Sequence, residues 1–304
     1  MRFPLKKVVV CFYAFLFILL SSVWVAPSWA AENNSVTGRE SLRAGAAAFQ
    51  EGAYQTAVYQ FTQAIEANAE DGAAYSNRCL AYLYLEDYPA AITDCTHALE
   101  LNPRDTEAYL TRGLAHQRLR EATAAMADYD RLLQLKSHDF RAYYNRGLVQ
   151  AEQQLYREAI VDFGAALRQT SPLDHATLAE IHNDRGLAQL ELALWPQAIS
   201  DFTQAIQFNS ADLRAYYNRG CAYHHQGNLL AAVDDFTRAL KIAPDHGQAY
   251  LSRGLVQQQL GNTDDALLDL EQAANCFSHQ GAMVAYQQTL DLIGKLRGFA
   301  AAIG

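Results

Sequence analysis

Apolar positions along this chain recur at three- and four-residue steps. Phe202, Ala205 and Ile206 fall on one face of a helix, as do Tyr216, Gly220 and Tyr223. The helical pattern itself recurs. Ala57, Ala91, Ala125, Ala159, Ala198, Ala232 and Ala266 follow one another at steps of 34 residues, with a single step of 39. Each is followed by an apolar residue (Val58, Ile92, Met126, Ile160, Ile199, Val233, Leu267). One turn before a further row of alanine or leucine comes a bulkier series: Phe61, Cys95, Tyr129, Phe163, Phe202, Phe236 and Leu270. A fixed period of this length marks an array of stacked supersecondary units.

Each unit divides into two helices at a short loop such as Glu51-Gly52-Ala53 or Gln226-Gly227-Asn228, where glycine can end the first helix in a left-handed conformation. Asn102-Pro103 and Ala243-Pro244 stop second helices, because proline cannot continue them. Small residues on both helices, for example Gly220 and Ala232, let the two backbones approach closely. One hairpin cannot bury its apolar face alone, so the units must stack. The pattern predicts an all-α solenoid of seven helix-turn-helix units over residues 39–281, closed by a capping helix over 282–304 that carries Tyr286, Leu290, Ile293 and Leu296. The five extra residues fall near 170–177, where Ser171-Pro172 predicts a longer turn, a change of pitch and a division into four units plus three.

The segment 1–30 breaks the pattern. Arg2, Lys6 and Lys7 precede an uncharged apolar run over residues 8–25, and Ser28 and Ala30 suit a signal-peptidase site. The same run is long enough to cross a bilayer, so a cleaved export signal and an uncleaved anchor both fit. The basic flank places the body on the non-cytoplasmic side in either case. Residues 31–38 are polar and read as a tether.

Charge narrows the partners. The net charge is −9, and −12 without Arg2, Lys6 and Lys7. An acidic body lacks the basic face that nucleic acid requires and is not drawn to anionic lipid; membrane contact is expected only through the N-terminal segment. The five cysteines include no C-x-x-C pair, which argues against a zinc knuckle or a redox motif. Nucleophile-elbow, zincin and P-loop motifs are absent too, so no catalytic residue, metal or cofactor is expected.

The chain resembles the tetratricopeptide repeat family. Tyr216, Gly220, Tyr223, Ala232, Phe236, Ala239 and Pro244 match the family pattern in one unit, with Tyr75, Tyr109, Tyr143, Tyr216 and Tyr250 standing where the family usually has tryptophan and His182 the weakest match. The resemblance implies a right-handed superhelix whose concave face, lined by first helices, binds peptide segments of other proteins. Residues of this chain at the matching positions are Tyr84, Leu110, Tyr144, Asn145, Tyr217, Asn218, His224, His225, Leu251 and Gln258. Leu114, Leu148, Leu187 and Leu255, each following the glycine of its repeat, could equally line that face or pack between helices. The lysine and asparagine clamp with which some relatives hold chaperone C-termini would need lysine at Tyr144 or Tyr217 and is absent. Cys79 and Cys95 stand at positions that pack together in similar proteins; an oxidising compartment would allow a disulfide, and two buried thiols are the expected state. The phrase Tyr-Tyr-Asn-Arg-Gly is similar to that of many cyanobacterial repeat proteins, which makes the periplasm or thylakoid lumen the expected location.

Six arginines (Arg78, Arg112, Arg146, Arg185, Arg219, Arg253) recur on first helices, each followed at one constant interval by an aspartate (Asp94, Asp128, Asp162, Asp201, Asp235, Asp269). The first unit has Ala44 and Gln60 there and lacks both. Presence and absence travel together, so the series predicts an ion pair within each of six repeats rather than a ligand-binding stripe. His224-His225 invites a metal, but adjacent helical residues point apart. These readings favour a non-catalytic interaction scaffold assisting assembly of envelope or membrane complexes, or alternatively an adaptor for peptidoglycan-processing enzymes; an enzyme built on repeats is the rival class.

Overall fold

The computed structural model describes residues 36–303, so the N-terminal signal or anchor reading lies outside the described residues. Fifteen helices run through the described residues. The first helices of successive repeats are α1 (Val36–Gln50), α3 (Gly72–Tyr84), α5 (Thr106–Arg118), α7 (Phe140–Glu152), α9 (His175–Glu191), α11 (Leu213–Gln226) and α13 (Gly247–Gln259). Their partners are α2 (Tyr54–Ala67), α4 (Tyr88–Leu101), α6 (Ala122–Leu135), α8 (Tyr156–Gln169), α10 (Trp195–Phe208), α12 (Leu229–Ile242) and α14 (Thr263–His279), and α15 (Met283–Ile303) closes the array. The first helix begins at Val36, so the tether expected to reach residue 38 is already helical at its end. Among the described residues no helix is long and apolar enough to cross a membrane.

Helix starts follow from short polar side chains. Asp71, Asp105, Asp139, Asp174 and Asp212 accept backbone N–H groups in the first turns of α3, α5, α7, α9 and α11. Pro89 and Pro196 occupy first-turn positions of α4 and α10, where the missing N–H costs nothing. Between helices of one repeat the chain turns through a residue with positive φ. Gly52, Gly227 and Gly261 serve there, but Glu86, Arg120, Gln154 and Ala193 adopt the same conformation at φ near 60°. The glycine expected from sequence is therefore one solution to a turn that the hairpin imposes in every repeat. A Cβ in that conformation costs about 1–2 kcal/mol, part of which glycine returns as unfolded-chain entropy. Ala193→Gly should accordingly stabilise the protein by about 0.5–1 kcal/mol, read as a rise in urea midpoint; an unchanged or lower midpoint would refute the argument.

The core is built at one recurrent contact. Phe61, Tyr129, Phe163, Phe202 and Phe236 are at most 1% exposed. Each ring lies against a glycine of the facing helix: at Gly147 and Gly220 a Cβ would come within 2.8 Å of the ring. The second repeat solves the same position differently. Cys79 stands where the others have glycine and Cys95 where five of them have the aromatic ring, and the two are joined as a disulfide with Cα atoms 5.4 Å apart. This corrects the expectation of two thiols. Replacing a Gly–ring contact by two small side chains brings the cysteines face to face across the tightest point of the hairpin. Cross-linking over 16 residues stabilises by about 3 kcal/mol. Dithiothreitol should therefore lower the urea midpoint of the native chain, while Cys79→Gly/Cys95→Phe should make it indifferent to reductant; equal midpoints with and without dithiothreitol in the native chain would rule this out.

The 39-residue step is also resolved. A longer turn was expected near 170–177. The turn gains only one residue, and the other four extend α9 to 17 residues, against 13 in α3, α5, α7 and α13. The extra helical turn is held by the Asp174 cap and by Leu178, which is buried. At the far end Ile293 and Leu296 of α15 pack on Ala266, Leu270 and Ala274, while Leu290 is exposed.

First helices of neighbouring repeats touch one another directly (α3 with α5, α5 with α7, α7 with α9, α9 with α11, α11 with α13), and no comparable contact joins consecutive second helices among the described residues. First helices therefore crowd together on the inner side of the curve, and second helices spread on the outer side.

Candidate peptide-binding groove

The inner face can be sorted into residues that brace the stack and residues that remain available. The arginine series belongs to the first group. Arg219 donates through Nε to Asp235 Oδ2 at 2.7 Å and through Nη2 to Oδ1 at 2.8 Å. Arg78–Asp94, Arg112–Asp128, Arg146–Asp162, Arg185–Asp201 and Arg253–Asp269 make the same two-pronged bond at 2.6–3.0 Å. All six aspartates are buried. The structure adds a third bond that the sequence reading did not include. Nη1 of Arg78, Arg112, Arg219 and Arg253 donates to Thr62, Thr96, Thr203 and Thr237 of the preceding repeat, and that of Arg146 to Asp130. The ladder thus ties repeats to each other as well as helices within a repeat. Its signal was present in the sequence, because each of these acceptors precedes its arginine by the same interval that separates the arginine from its aspartate. At the fourth junction the acceptor position is Gly164, and Arg185 has no such bond. His182 compensates by placing Nδ1 2.8 Å from Asp201 Oδ1. Burial pushes the Asp201 carboxyl up, but His182 and Arg185 outweigh it and hold it below the usual carboxylate range.

Several residues expected in the groove are spent on packing. Leu110 is only 6% exposed and belongs to the core, which contradicts its assignment as a groove residue. Asn145 is buried and donates Nδ2–H to the Arg141 carbonyl of its own helix, so its amide is not offered to a ligand. Tyr84 stacks on Tyr54 at 4.7 Å and meets Phe49 edge-on, sealing the first junction. Leu251 packs with Leu270 against α15. The remaining candidates are more open. Tyr217 lies half-buried with its ring against Phe236 and His246 and its hydroxyl 3.4 Å from Ser252 Oγ. Asn218 donates to Asn183 Oδ1 at 3.4 Å. His224 Nε2 lies 3.1 Å from Gln259 Oε1, exposed His225 stacks on Trp195 at 4.8 Å, and Gln258 is exposed. No group of three or more His, Cys, Asp or Glu side chains arranged to hold a metal lies among the described residues.

The centre of the inner face carries a partly buried acidic pair. Tyr144 on α7 donates its hydroxyl proton to Asp184 Oδ2 on α9 at 2.6 Å. Asp184 is 7% exposed and its other oxygen, Oδ1, has no partner. Burial raises its carboxyl above the usual range, against the pull of Arg214 and of Tyr144. One turn earlier, burial and the nearby Asp184 push the Glu180 carboxyl up to about 7, with Asp174 and Asp212 adding to the effect and Arg214 opposing it. The clue in the sequence was an acid at 184 where other repeats carry Asn77, Asn145 and Asn218.

A carboxyl whose pKa rises on folding holds its proton longer in the native state. Through this carboxyl the native chain binds more protons than the unfolded chain between about pH 4.5 and 7, and its contribution to stability falls as pH rises through that window. Glu180→Gln should remove this slope and stabilise the chain at pH 8 by about 1–2 kcal/mol after allowance for partial solvent screening. Urea midpoints across pH 4–8 that fall as steeply in the variant as in the native chain would contradict it.

An array of stacked helical hairpins whose first helices crowd on the inner side defines the class of α-solenoid repeat proteins. Two family models, both described as tetratricopeptide repeat, match the chain, one over residues 72–105 and 213–246, the other over 110–175 and 231–278, together more than half of its length. The chain belongs to the tetratricopeptide repeat family. Among solved structures it is similar to YrrB, described as a tetratricopeptide repeat protein with an unusual peptide-binding site, at 25% identity and TM-score 0.55 over 64% of this chain and 96% of that one. A tetratricopeptide repeat protein from Parabacteroides merdae matches at 18% identity and TM-score 0.60, covering 84% of this chain and all of that one. Pseudomonas aeruginosa pilF matches at 18% and 0.60, covering 74% and 99%. These last two share the fold. No curated protein is similar enough to count as a match.

Proposed function

We propose that this chain is a non-catalytic scaffold that holds peptide segments of client proteins on its inner face, on the far side of a membrane, while envelope or membrane complexes assemble. The observation that carries the reading is the inner face itself: seven first helices side by side, tied together by the arginine ladder, with Tyr144, Tyr217, Asn218 and His224 reaching from one first helix to the next and Gln258 exposed. YrrB, whose description names a peptide-binding site, supports the peptide reading. A cleft lined by Leu83, Tyr84, Glu86, Tyr88, Leu114 and Arg118 encloses only about 150 Å³, smaller than the ~300–1,000 Å³ of small-molecule sites. The Cys79–Cys95 disulfide and the basic-then-apolar N-terminus support an exported protein, since structural disulfides persist in oxidising compartments.

A photo-crosslinking residue placed at Tyr217 should capture protein partners in the producing cells, and the same residue at Leu230, which is 73% exposed on a second helix, should not. Equal labelling from both positions would refute the groove. Recovery of the chain with free thiols at Cys79 and Cys95 would refute export.

A further inference from the structure

The arrangement at the middle of the inner face says more about the client than the groove as a whole. We infer that α7, α9 and α11 form a subsite for one cationic side chain, a lysine or arginine, of the bound peptide, built on Glu180 and Asp184. The inference rests on the peptide-binding reading above.

Three observations lead to it. Asp184 is more than nine-tenths buried among these helices, and while Tyr144 satisfies Oδ2, Oδ1 is left without a donor. A buried polar group without a partner is costly, and a donor from outside would relieve it. Second, the repeats contain their own control. Glu107 and Arg141 occupy, on α5 and α7, the places that Glu180 and Arg214 occupy on α9 and α11. Arg141 grips Glu107 with two bonds at 2.6 and 2.9 Å. No ion pair within 4.0 Å joins Glu180 to Arg214 or to any other cation among the described residues; Arg214 instead leans toward Asp212 at 4.0 Å. Third, the local charge is only partly compensated. Glu180, Asp184, Asp174 and Asp212 act on one another, with Arg214 as the cation among them. A donor with a positive charge satisfies the unpartnered oxygen and offsets the carboxylates at once, whereas a neutral donor leaves the charge unmet and an acidic side chain meets neither demand. Tyr144 on α7 and Tyr217 on α11 stand on the two helices that flank the pair.

The test uses variants whose new residues the chain already carries at equivalent places. Asp184→Asn introduces the residue found as Asn77, Asn145 and Asn218, and Glu180→Gln the residue found as Gln248. A displayed library of random dodecapeptides is selected against the full chain and against the double variant E180Q/D184N, with circular dichroism checking that both are folded. One selected peptide is then synthesised with its basic residue and with glutamine in its place, and binding is followed by fluorescence anisotropy. The expected result is enrichment of lysine or arginine at one peptide position by the native chain only, at least about tenfold weaker binding of the glutamine peptide to the native chain, and equal binding of the two peptides to the variant. Peptides selected without basic preference, or a tenfold loss that persists in the variant, would overturn the subsite and leave the groove standing. Failure of the native chain to select any peptide would overturn both.

Discussion

Asp235→Ala is expected to destabilise the array by about 3 kcal/mol, toward the lower end of the range for stranding one partner of a buried pair. Asp235 is 3% exposed and takes two bonds from Arg219, whose side chain is 16% exposed. Removing the carboxylate leaves a guanidinium held between Tyr216 and Tyr223 with only Thr203 as hydrogen-bonding partner. Because Arg219 also ties α11 to the preceding repeat, the loss should spread to the fifth repeat. Repeat arrays lose stability through nearest-neighbour interfaces, so hydrogen exchange should quicken first in α10 to α12 and later in α3 and α4. The neighbouring Asp234 is exposed, and Asp234→Ala should stay within about 0.5 kcal/mol. A double-mutant cycle with Arg219→Ala should show strong coupling. If Asp235→Ala behaved like Asp234→Ala, the ladder would have no structural weight.

Phe202→Ala is expected to cost about 3–5 kcal/mol, the figure for truncating a fully buried aromatic ring. The Phe202 ring is 0% exposed and lies where a Cβ on Gly186 would come within 2.8 Å. The same closeness makes the two positions non-additive. Gly186→Ala alone should cost about 1–3 kcal/mol by overpacking. In the Phe202→Ala background the added methyl enters vacated space, and the substitution should become neutral or favourable because alanine is the better helix former. Thermal or urea unfolding of the four proteins decides it; additive losses would show that the glycine is retained for some reason other than the ring.

The two contacts differ in how they could be foreseen. Arg219 and Asp235 pair on sequence grounds because six repeats carry both residues and one carries neither. The third bond, to Thr203, rests on the same interval but crosses a repeat boundary, and a pairing rule confined to one repeat does not contain it. The inner face was less legible. Leu110 and Tyr144 share one register position, yet Leu110 is enclosed and Tyr144 reaches across to Asp184. Register places a residue on a face; the distance to the next first helix decides whether that face is open. Asp184 stands where other repeats carry asparagine, and its chemistry arises from Glu180, Asp212 and Arg214, which converge only after stacking.

Two kinds of information are therefore at work in this protein. Sequence by itself determined the all-helical array, its 34-residue period, the position of its one irregularity and the residues of the ion-pair series, because helical periodicity and recurrence are properties of a line. Tertiary structure decided that four of the inserted residues lengthen α9, that Cys79 and Cys95 meet as a disulfide, that the ladder joins neighbouring repeats, and that a carboxylate oxygen of Asp184 is buried without a partner. Each of these depends on how closely one helix approaches another, and in five repeats that approach is set by the packing of a ring against a glycine.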